Sequence, residues 1–375
     1  MKLLEPITIR GMLLKNRVVM APMATHLGHR NERARAYYLE RAKGGVGSII
    51  LGGFPIDALK TTHIARGLSH WLVEPIHEYG VKIGIQLWHG NQYPTFGAQN
   101  PDWVAPSPGT PIGVAPLLRG FYKAESCQCR ELTVMEIQEI ASRYGEAALR
   151  ARQAGFDFVE LHGCHGHNLP SQFFFPLDNR RRDEYGGDLE RRMRFNLDVA
   201  RTIRKAIGDD FPFFWRLSAA DDWPGGITLQ DSVELAKSLV LVGVDVIDVS
   251  FGNTVAHDPT EWGSCPSVPP KKKPRGTFIP LAEAIKSRVG VPVIGVGRIN
   301  SHKIAEAILA RGLVDLIALG RQLFCDPFWT QKVEEGRFRD IQFCRSCNEC
   351  LDRYYEGSPV TCKYNLRLGK EWEIP

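Results

Sequence analysis

Residues 156–163 read FDFVELHG, a short apolar run that ends in a histidine and a glycine. Seven more apolar runs of similar length occur along the chain, and helix-length segments separate most of them. The predicted strands are Arg17–Ala21, Gly47–Leu51, Lys82–Leu87, Phe156–Leu161, Phe213–Leu217, Val244–Val249, Val291–Val296 and Asp315–Leu319. Strands that alternate with helices favour a parallel sheet, and eight of them can close a barrel. The sequence therefore predicts the α/β class and a TIM (β/α)8 barrel.

The segments between these runs support the same fold. The predicted helices are Val134–Gln153, Asp188–Ala206, Leu229–Val242, Ile279–Arg288 and Lys303–Ala310, and a hairpin is expected at Ile7–Leu14. An open doubly wound sheet is the alternative, although no Gly-x-Gly-x-x-Gly follows the first strand. One barrel needs roughly 250 residues. We therefore predict a barrel over residues 1–335 and an appended C-terminal segment over residues 336–375.

Small or polar residues follow every predicted strand. They are Pro22–Thr25, Gly52–Gly53, His89–Gly90, His162–His167, Ser218, Ser250–Gly252, Gly297–Arg298 and Gly320–Arg321. The strand ends of a barrel meet at one face, where barrel enzymes have their active sites. The last two turns, both Gly-Arg, stand where such enzymes often bind phosphate, because glycine admits an anion close to the backbone and arginine adds charged donors. For either arginine alone, pairing with a nearby carboxylate is the alternative.

Cysteines are concentrated near the C-terminus. Cys344, Cys347 and Cys350 are separated by two residues each, and Cys362 follows after eleven more. The C-x₂-C-x₂-C spacing is typical of bacterial iron–sulfur sites. A zinc site, which more often uses two separated Cys-x-x-Cys pairs, and a disulfide framework are the alternatives.

Composition excludes several classes of protein. The chain has 43% hydrophobic and 24% charged residues and a net charge of +5. Its one dense basic run, Lys271–Arg275, is interpreted as a solvated loop rather than a nucleic-acid patch, although it could contact an anionic substrate or an acidic partner. No secretory signal and no apolar window of about 20 residues is visible, so no membrane span is expected. Nine cysteines without a leader favour a reducing, cytoplasmic setting.

Several motifs resemble those of a known family. They are HGCHGHNLPSQF at residues 162–173, DEYGG at 183–187, LERR at 189–192, QLWHG at 86–90 and IALGR at 317–321. With these motifs the chain resembles the Old Yellow Enzyme family, and within it the iron–sulfur branch that includes 2,4-dienoyl-CoA reductase, enoate reductases and trimethylamine dehydrogenase. The likeness runs from Leu4 to Asn365.

The resemblance implies an FMN cofactor and a [4Fe-4S] cluster. The residues expected to bind FMN are Pro22, Met23, Ala24, Thr25, Gly53, Gln86, Arg216, Gly297, Arg298, Gly320 and Arg321. Those expected to hold the cluster are Cys344, Cys347, Cys350 and Cys362. The turn at Ala21–His29 contains no cysteine, so FMN is not expected to be covalently attached.

The same resemblance assigns roles to histidines. His162 and His165 match the pair that grips the carbonyl or carboxylate oxygen of an activated alkene; a metal pair or core packing is the alternative. His167 stands where the family usually has a tyrosine that donates a proton. Histidine can also donate a proton, or the change marks another substrate or the oxidative direction. His257, in the loop after the sixth predicted strand, could contact substrate or be a solvated loop residue.

The expected activity is reduction of the C=C bond of an enoyl-CoA, enoate or enone by hydride from flavin N5. Electrons would come from NAD(P)H, directly or through a partner. The chain stops at Pro375, where multidomain relatives continue into FAD- and NAD(P)-binding domains. We therefore expect a separate electron-transfer protein or a truncated chain, with FAD only on that other part, and a homo- or hetero-oligomer. The alternatives are an amine or N-methyl dehydrogenase that passes electrons to a flavoprotein, and a non-catalytic electron-transfer scaffold.

Overall fold

Eight parallel strands close into a barrel, which confirms the predicted fold. The computed structural model describes residues 1–28, 31–59, 67–90, 92–93, 102–114, 127–255, 257 and 266–373. Its strands are β1 (Ile7–Ile9), β2 (Met12–Leu14), β3 (Val18–Met20), β4 (Ser48–Pro55), β5 (Lys82–Trp88), β6 (Gln92–Tyr93), β7 (Asp102–Ala105), β8 (Arg130–Glu131), β9 (Phe158–Gly163), β10 (Phe213–Ser218), β11 (Val246–Ser250), β12 (Val293–Gly295) and β13 (Leu316–Leu319). The barrel order is β3-β4-β5-β9-β10-β11-β12-β13, and β13 pairs back with β3. β1 and β2 form the predicted hairpin, and β6, β7 and β8 form a small separate sheet.

The helices begin and end within two residues of the predicted bounds where one was predicted. They are Glu32–Lys43, Glu74–His77, Val134–Gln153, Leu169–Phe174, Leu189–Ile207, Leu229–Leu241, Ile279–Lys286, His302–Ala310, Arg321–Cys325, Trp329–Glu334 and Glu349–Tyr355. Local sequence explains these starts. Thr133 and Glu136 form a reciprocal capping box, and the Asn168 side chain accepts the backbone N–H of Ser171. Within the described ranges, none of the helices has the length and hydropathy needed to cross a membrane.

The barrel interior is layered along β5, β9, β10 and β11, because side chains alternate between the inside and the outside of each strand. The innermost layer contains Phe158 and Phe214, whose rings stack at 4.3 Å, with Gly84 leaving room for Phe158. Two residues further along each strand lie four polar side chains, here called the polar layer: Gln86, Glu160, Arg216 and Asp248. Two residues further again, the strands end in Trp88, His162, Ser218 and Ser250. Charged groups therefore lie directly beneath the mouth.

The amino end of the barrel is filled by the hairpin. Ile9, Met12 and Leu14 are buried together with the innermost barrel residues, among them Phe158 and Phe214. At the opposite end, the strands across the barrel from the polar layer finish in small residues, which are Ala21, Gly53, Ala318 and Gly320. The barrel is therefore closed by apolar side chains at its amino end and left open on one side of its carboxyl end.

Candidate active site

A cavity of about 260 Å³ opens where the barrel strands end. Ten of the eleven residues predicted to bind a cofactor line it, and the exception is Thr25. The carbonyl of Thr25 instead accepts the backbone N–H of Val360 at 3.0 Å. His162, His165 and His167 line the same cavity. The structure thus brings the predicted cofactor residues and the predicted catalytic histidines to one place.

Two members of the polar layer, Gln86 and Arg216, line this cavity, and the layer contains one buried ion pair. Arg216 Nη1 donates to Asp248 Oδ2 at 2.7 Å, and both side chains are buried. Burial and the neighbouring Asp248 raise the pKa of Glu160 well above its usual value, although Arg216 and Gln86 oppose that shift. Among the described residues, Oε2 of Glu160 and Oδ1 of Asp248 find no hydrogen-bond partner. Burial therefore favours the protonated form of Glu160 beside a single ion pair.

Gln86 is held in one orientation by its neighbours. Its Nε2 donates to Glu160 Oε1 at 2.8 Å, and the backbone N–H of Gly53 donates to its Oε1 at 3.3 Å. The amide can therefore offer its remaining N–H and its carbonyl oxygen to a ligand in the cavity. An amide of this kind suits the alternating donors and acceptors of a pyrimidine edge.

The two Gly-Arg turns carry a concentration of positive charge. Burial, Arg321 and Arg275 lower the pKa of Arg298, as expected where cations crowd together. Gly297 has a φ of 118°, and a Cβ at this position would lie 3.0 Å from the backbone nitrogen of Phe278. A turn that only glycine can form here, flanked by arginines, is suited to a phosphate group.

A flavin mononucleotide fits this arrangement. Gly53 has a φ of 54° and open space where its Cβ would be, so the absence of a side chain leaves room for a planar ring. The polar layer supplies an amide and a cation on one side of that space, and the two arginine turns supply an anion site on the other. The donor set therefore matches a ring with a polar edge joined to a phosphate.

The histidine triad, His162, His165 and His167, forms a chain of hydrogen bonds. The hydroxyl of Thr254 donates its proton to the carbonyl of His165 at 2.7 Å. The same Oγ1 lies 2.9 Å from Nδ1 of His167. Because the hydroxyl proton is already used, Oγ1 accepts this second hydrogen bond and Nδ1 of His167 carries the proton. Nε2 of His167 is consequently an acceptor, and Nε2–H of His162 donates to it at 3.1 Å. Nδ1 of His162 is left unprotonated, 3.3 Å from Sγ of Cys164. These tautomers follow from the network of neighbours.

The triad is electrically neutral at neutral pH. Burial lowers the pKa of His167 to about 4. Burial, the other histidines and Arg216 lower the pKa of His162 well below its usual value, and burial, Arg216 and His167 do the same for His165. His165 also has a φ of 70°, and its Nε2 lies 2.8 Å from Ser250 Oγ. Neutral imidazoles held in fixed orientations can act as hydrogen-bond donors to a ligand.

His257 lies apart from this triad. It is exposed, and its ring meets the edge of Trp223 at a centroid distance of 5.3 Å. It is not among the described residues that line the cavity. A role in substrate binding therefore remains a prediction from the sequence alone.

The cysteine segment, residues 344–362, packs over the arginine turns. Arg298 Nε donates to Ser346 Oγ at 3.1 Å, and Arg321 Nη1 donates to Asn348 Oδ1 at 2.5 Å. Ser346 and Asn348 both have positive φ, which coils the backbone between the cysteines. The predicted anion site and the predicted cluster site therefore share their supporting side chains.

The four cysteines are electrostatic neighbours. Burial raises the pKa of Cys344, Arg321 lowers it, and Cys362 and Cys347 raise it further. Burial raises the pKa of Cys350 to about 12. The backbone N–H of Ser346 points at Cys344 Sγ at 3.4 Å, a contact that suits a thiolate. Four sulfurs that repel one another as thiolates form a donor set suited to iron.

Sequence reasoning missed a wall of the cavity that the cysteine segment provides. Tyr354 and Tyr355 line the cavity from the end of the short helix that contains Cys350, and their rings lie 5.3 Å apart. They pack against the cluster of buried residues that includes Trp88. No pattern in the sequence places this helix beside the barrel, because the contact joins parts of the chain that are far apart. The polar layer had a clearer signal, since Glu160 and Asp248 interrupt otherwise apolar strands.

The buried carboxyl group of Asp178 should make the stability of the fold depend on pH. Burial raises the pKa of Asp178 to about 7, and its Oδ1 accepts the N–H of Ile112 at 3.0 Å. The folded chain therefore binds more protons than the unfolded chain between about pH 4 and pH 7, so rising pH lowers stability across that window. The free energy of unfolding should fall by up to about 1.4 kcal/mol per pH unit across this window because of Asp178. The Asp178→Asn variant should not show this fall. Urea denaturation at several pH values measures it.

A control with the opposite sign is available for that experiment. A hydrogen bond from Arg181 lowers the pKa of Asp183, so this carboxylate contributes stability above about pH 4 and loses it as the pH falls. Asp183→Asn should therefore lower stability at pH 7. An Asp178→Asn variant with the same pH dependence as the parent protein would contradict the assignment.

Comparison with known proteins identifies the family. A model of the NADH:flavin oxidoreductase / NADH oxidase family matches residues 2–340. The NADH oxidase of Thermoanaerobacter brockii is 39% identical over 381 residues, which cover 97% of this chain and 56% of that protein. The cinnamate reductase of Clostridium sporogenes is 33% identical and covers 99% of this chain and 58% of that protein.

A solved structure agrees with these relatives. A 2-naphthoyl-CoA reductase in complex with 2-naphthoyl-CoA has a TM-score of 0.86 at 28% identity, over 100% of this chain and 58% of that one. The chain thus spans little more than half the length of the proteins it matches. Barrel, cavity and sequence matches agree: the chain belongs to the NADH:flavin oxidoreductase / NADH oxidase family, which is also called the Old Yellow Enzyme family.

Proposed function

We propose that the protein reduces the C=C bond of an activated alkene, conjugated to a thioester, a carboxylate or a ketone. The histidine triad carries this proposal, because it faces the same cavity as the polar layer and the arginine turns. Two relatives support the substrate class, since one is named for cinnamate and one is bound to an aromatic thioester.

FMN is the proposed cofactor, and when bound it supplies the hydride from its N5. Gln86 and Arg216 would hold its pyrimidine edge, where the fixed cation stabilises negative charge. Arg298 and Arg321 would hold its phosphate. NAD(P)H is the proposed source of electrons, directly or through an electron-transfer protein.

The triad would bind and polarise the substrate. Nε2–H of His162 donates to His167. A carbonyl oxygen of the substrate would replace His167 as its acceptor, and His165 offers a second donor. Donors aimed at this oxygen act most strongly in the transition state, because negative charge develops there as the β-carbon accepts hydride. The substrate therefore binds with its oxygen at the end of β9.

His167 is the proposed proton donor to the α-carbon. It is neutral in the cavity as described, since burial lowers its pKa to about 4. Negative charge on a neighbouring substrate favours the protonated imidazole and raises that pKa. Thr254 orients the ring by accepting from Nδ1, so Nε2 faces the cavity residues. His167 would thus take up a proton from solvent at Nε2 as the charge develops and pass it from there to the α-carbon.

A [4Fe-4S] cluster is the proposed occupant of the cysteine segment, held by Cys344, Cys347, Cys350 and Cys362. The cluster, when bound, supplies single electrons. Replacing Cys347, the most exposed of the four, by serine should remove nearly all of the iron, from about four per chain. Iron and acid-labile sulfide analysis measures this. Cys127→Ser removes a buried thiol elsewhere and should keep full iron; full iron in the Cys347→Ser variant would exclude the proposed ligand set.

Anaerobic absorption spectroscopy tests the function directly. The protein is reduced with one equivalent of donor and mixed with cinnamate, an enoyl-CoA or 2-naphthoyl-CoA. Return of the oxidised flavin spectrum with an alkene, and none with the saturated acid 3-phenylpropanoate, is the expected result. Bleaching of the oxidised flavin by a methylated amine, without any response to alkenes, would instead indicate the amine dehydrogenase. No response to either class would indicate the electron-transfer scaffold.

A further inference from the structure

Three metal-ligating side chains meet at the end of β9, beside the cavity. The ligand atoms of His162, Cys164 and His165 all lie within 4.8 Å of one another. Nδ1 of His162 and Sγ of Cys164 are only 3.3 Å apart. Cys164 takes no part in the mechanism proposed above, and it is fully buried.

The separation between His162 and Cys164 suits a tetrahedral cation. Zinc binds imidazole nitrogen at about 2.0–2.1 Å and thiolate sulfur at about 2.3 Å, so two such ligands at a tetrahedral angle lie about 3.5 Å apart. The separation of 3.3 Å between His162 and Cys164 is close to that value. The hydrogen-bond network also leaves Nδ1 of His162 as the unprotonated nitrogen, and its lone pair therefore faces Cys164.

Each histidine also has the supporting contact that ligating histidines need. A metal-bound imidazole normally uses its other ring nitrogen to contact a neighbour, which fixes the tautomer and the ring orientation. Nε2 of His162 donates to His167, and Nε2 of His165 lies 2.8 Å from Ser250 Oγ. The two rings are thus oriented before any cation binds.

The surroundings leave one coordination position open. Burial raises the pKa of the Cys164 thiol and the guanidinium of Arg216 opposes that shift, so a bound cation would have to displace the thiol proton. His162 and His165 line the cavity, so the side of the site away from Cys164 faces the ligand space. Three protein ligands and an open fourth position are typical of exchangeable zinc sites.

We propose that His162, Cys164 and His165 form a binding site for a thiophilic divalent cation such as Zn²⁺. The site is separate from the cysteine segment and needs no redox step. It stands on these contacts alone and is independent of the proposed function.

Zinc K-edge X-ray absorption of the reduced-thiol holoenzyme, loaded anaerobically with one equivalent of ZnCl₂, tests the site. The expected spectrum contains one sulfur at about 2.3 Å and two or three nitrogen or oxygen neighbours at about 2.0–2.1 Å. Cys164→Ala should lose the sulfur neighbour and bind Zn²⁺ at least about 10–100-fold more weakly, as judged by competition with a chromophoric chelator. Cys164→Ser has nearly the same volume as the parent residue, so weak Zn²⁺ binding by this variant cannot be attributed to a cavity in the fold. Cys127→Ala is the control for loss of another buried thiol.

The remaining outcomes separate this proposal from the proposed function. A shell of four sulfurs with loss of iron would place zinc in the cysteine segment and overturn the proposal, as would equal affinities for the parent protein and Cys164→Ala. If no alkene reacts, the absorption spectrum still decides whether the cation site exists.

Discussion

Arg216→Leu is expected to lower the free energy of unfolding by roughly 3–5 kcal/mol, because it leaves the carboxylate of Asp248 buried without its partner. Asp248 is fully buried, its Oδ1 has no described partner, and Glu160 adds a second carboxyl to the same layer. Urea denaturation of the FMN-free protein, followed by tryptophan fluorescence, measures the change.

The double variant Arg216→Leu/Asp248→Leu is the control for that prediction. Replacing both members of a buried ion pair by apolar residues is often neutral, so most of the lost stability should return. FMN affinity should not return, since the cation at the cavity floor is still missing. A single variant as stable as the parent protein would show that the polar layer is hydrated or that Asp248 carries a proton.

His165→Ala is expected to slow alkene-dependent reoxidation of the reduced protein by about 10²–10³-fold, the usual cost of removing one donor to a developing oxyanion. The side chain lines the cavity, and its backbone is held in a strained left-handed conformation by Ser218 and Thr254. Removal of the imidazole should therefore affect the reaction more than the fold. Stopped-flow absorption under single-turnover conditions measures the rate.

Two further variants define that effect. His165→Asn keeps a donor near the same position and should recover part of the rate. His70→Ala removes an exposed histidine that pairs with Glu74 far from the cavity, and it should leave the rate unchanged. A His165→Ala variant that reoxidises as fast as the parent protein would remove His165 from the reaction.

The barrel was predictable because each of its strands carries a local signal. Residues 156–163 combine apolar side chains with a polar end, and the structure places β9 at Phe158–Gly163. The helix Val134–Gln153 was predicted with its exact bounds, since Thr133 and Glu136 form a capping box that can be read from the sequence. Local hydrogen bonds and side-chain periodicity thus determine most of the fold.

The residues of the candidate site that directly follow a barrel strand were predictable from the sequence. Those that reach the site through contacts between distant parts of the sequence were less predictable. Gln86, Arg216 and the arginine turns follow from strand position and family motifs. Tyr354 reaches the cavity only because the cysteine segment packs on Arg298 and Arg321, and those hydrogen bonds join residues 27 to 48 positions apart. Thr25, which closely follows β3, was predicted to bind the cofactor. Its carbonyl instead accepts the backbone N–H of Val360 from the cysteine segment.

The hairpin of β1 and β2 has a kinetic consequence. Among the described residues, its apolar side chains fill the amino end of the barrel, and small molecules therefore reach the polar layer from the open carboxyl end. An electron donor such as NADH and an oxidant that bind in this cavity would compete for the same space, so each must leave before the other enters. Steady-state turnover with two such reactants should then follow a substituted-enzyme scheme, in which double-reciprocal plots are parallel and an excess of either reactant inhibits the enzyme.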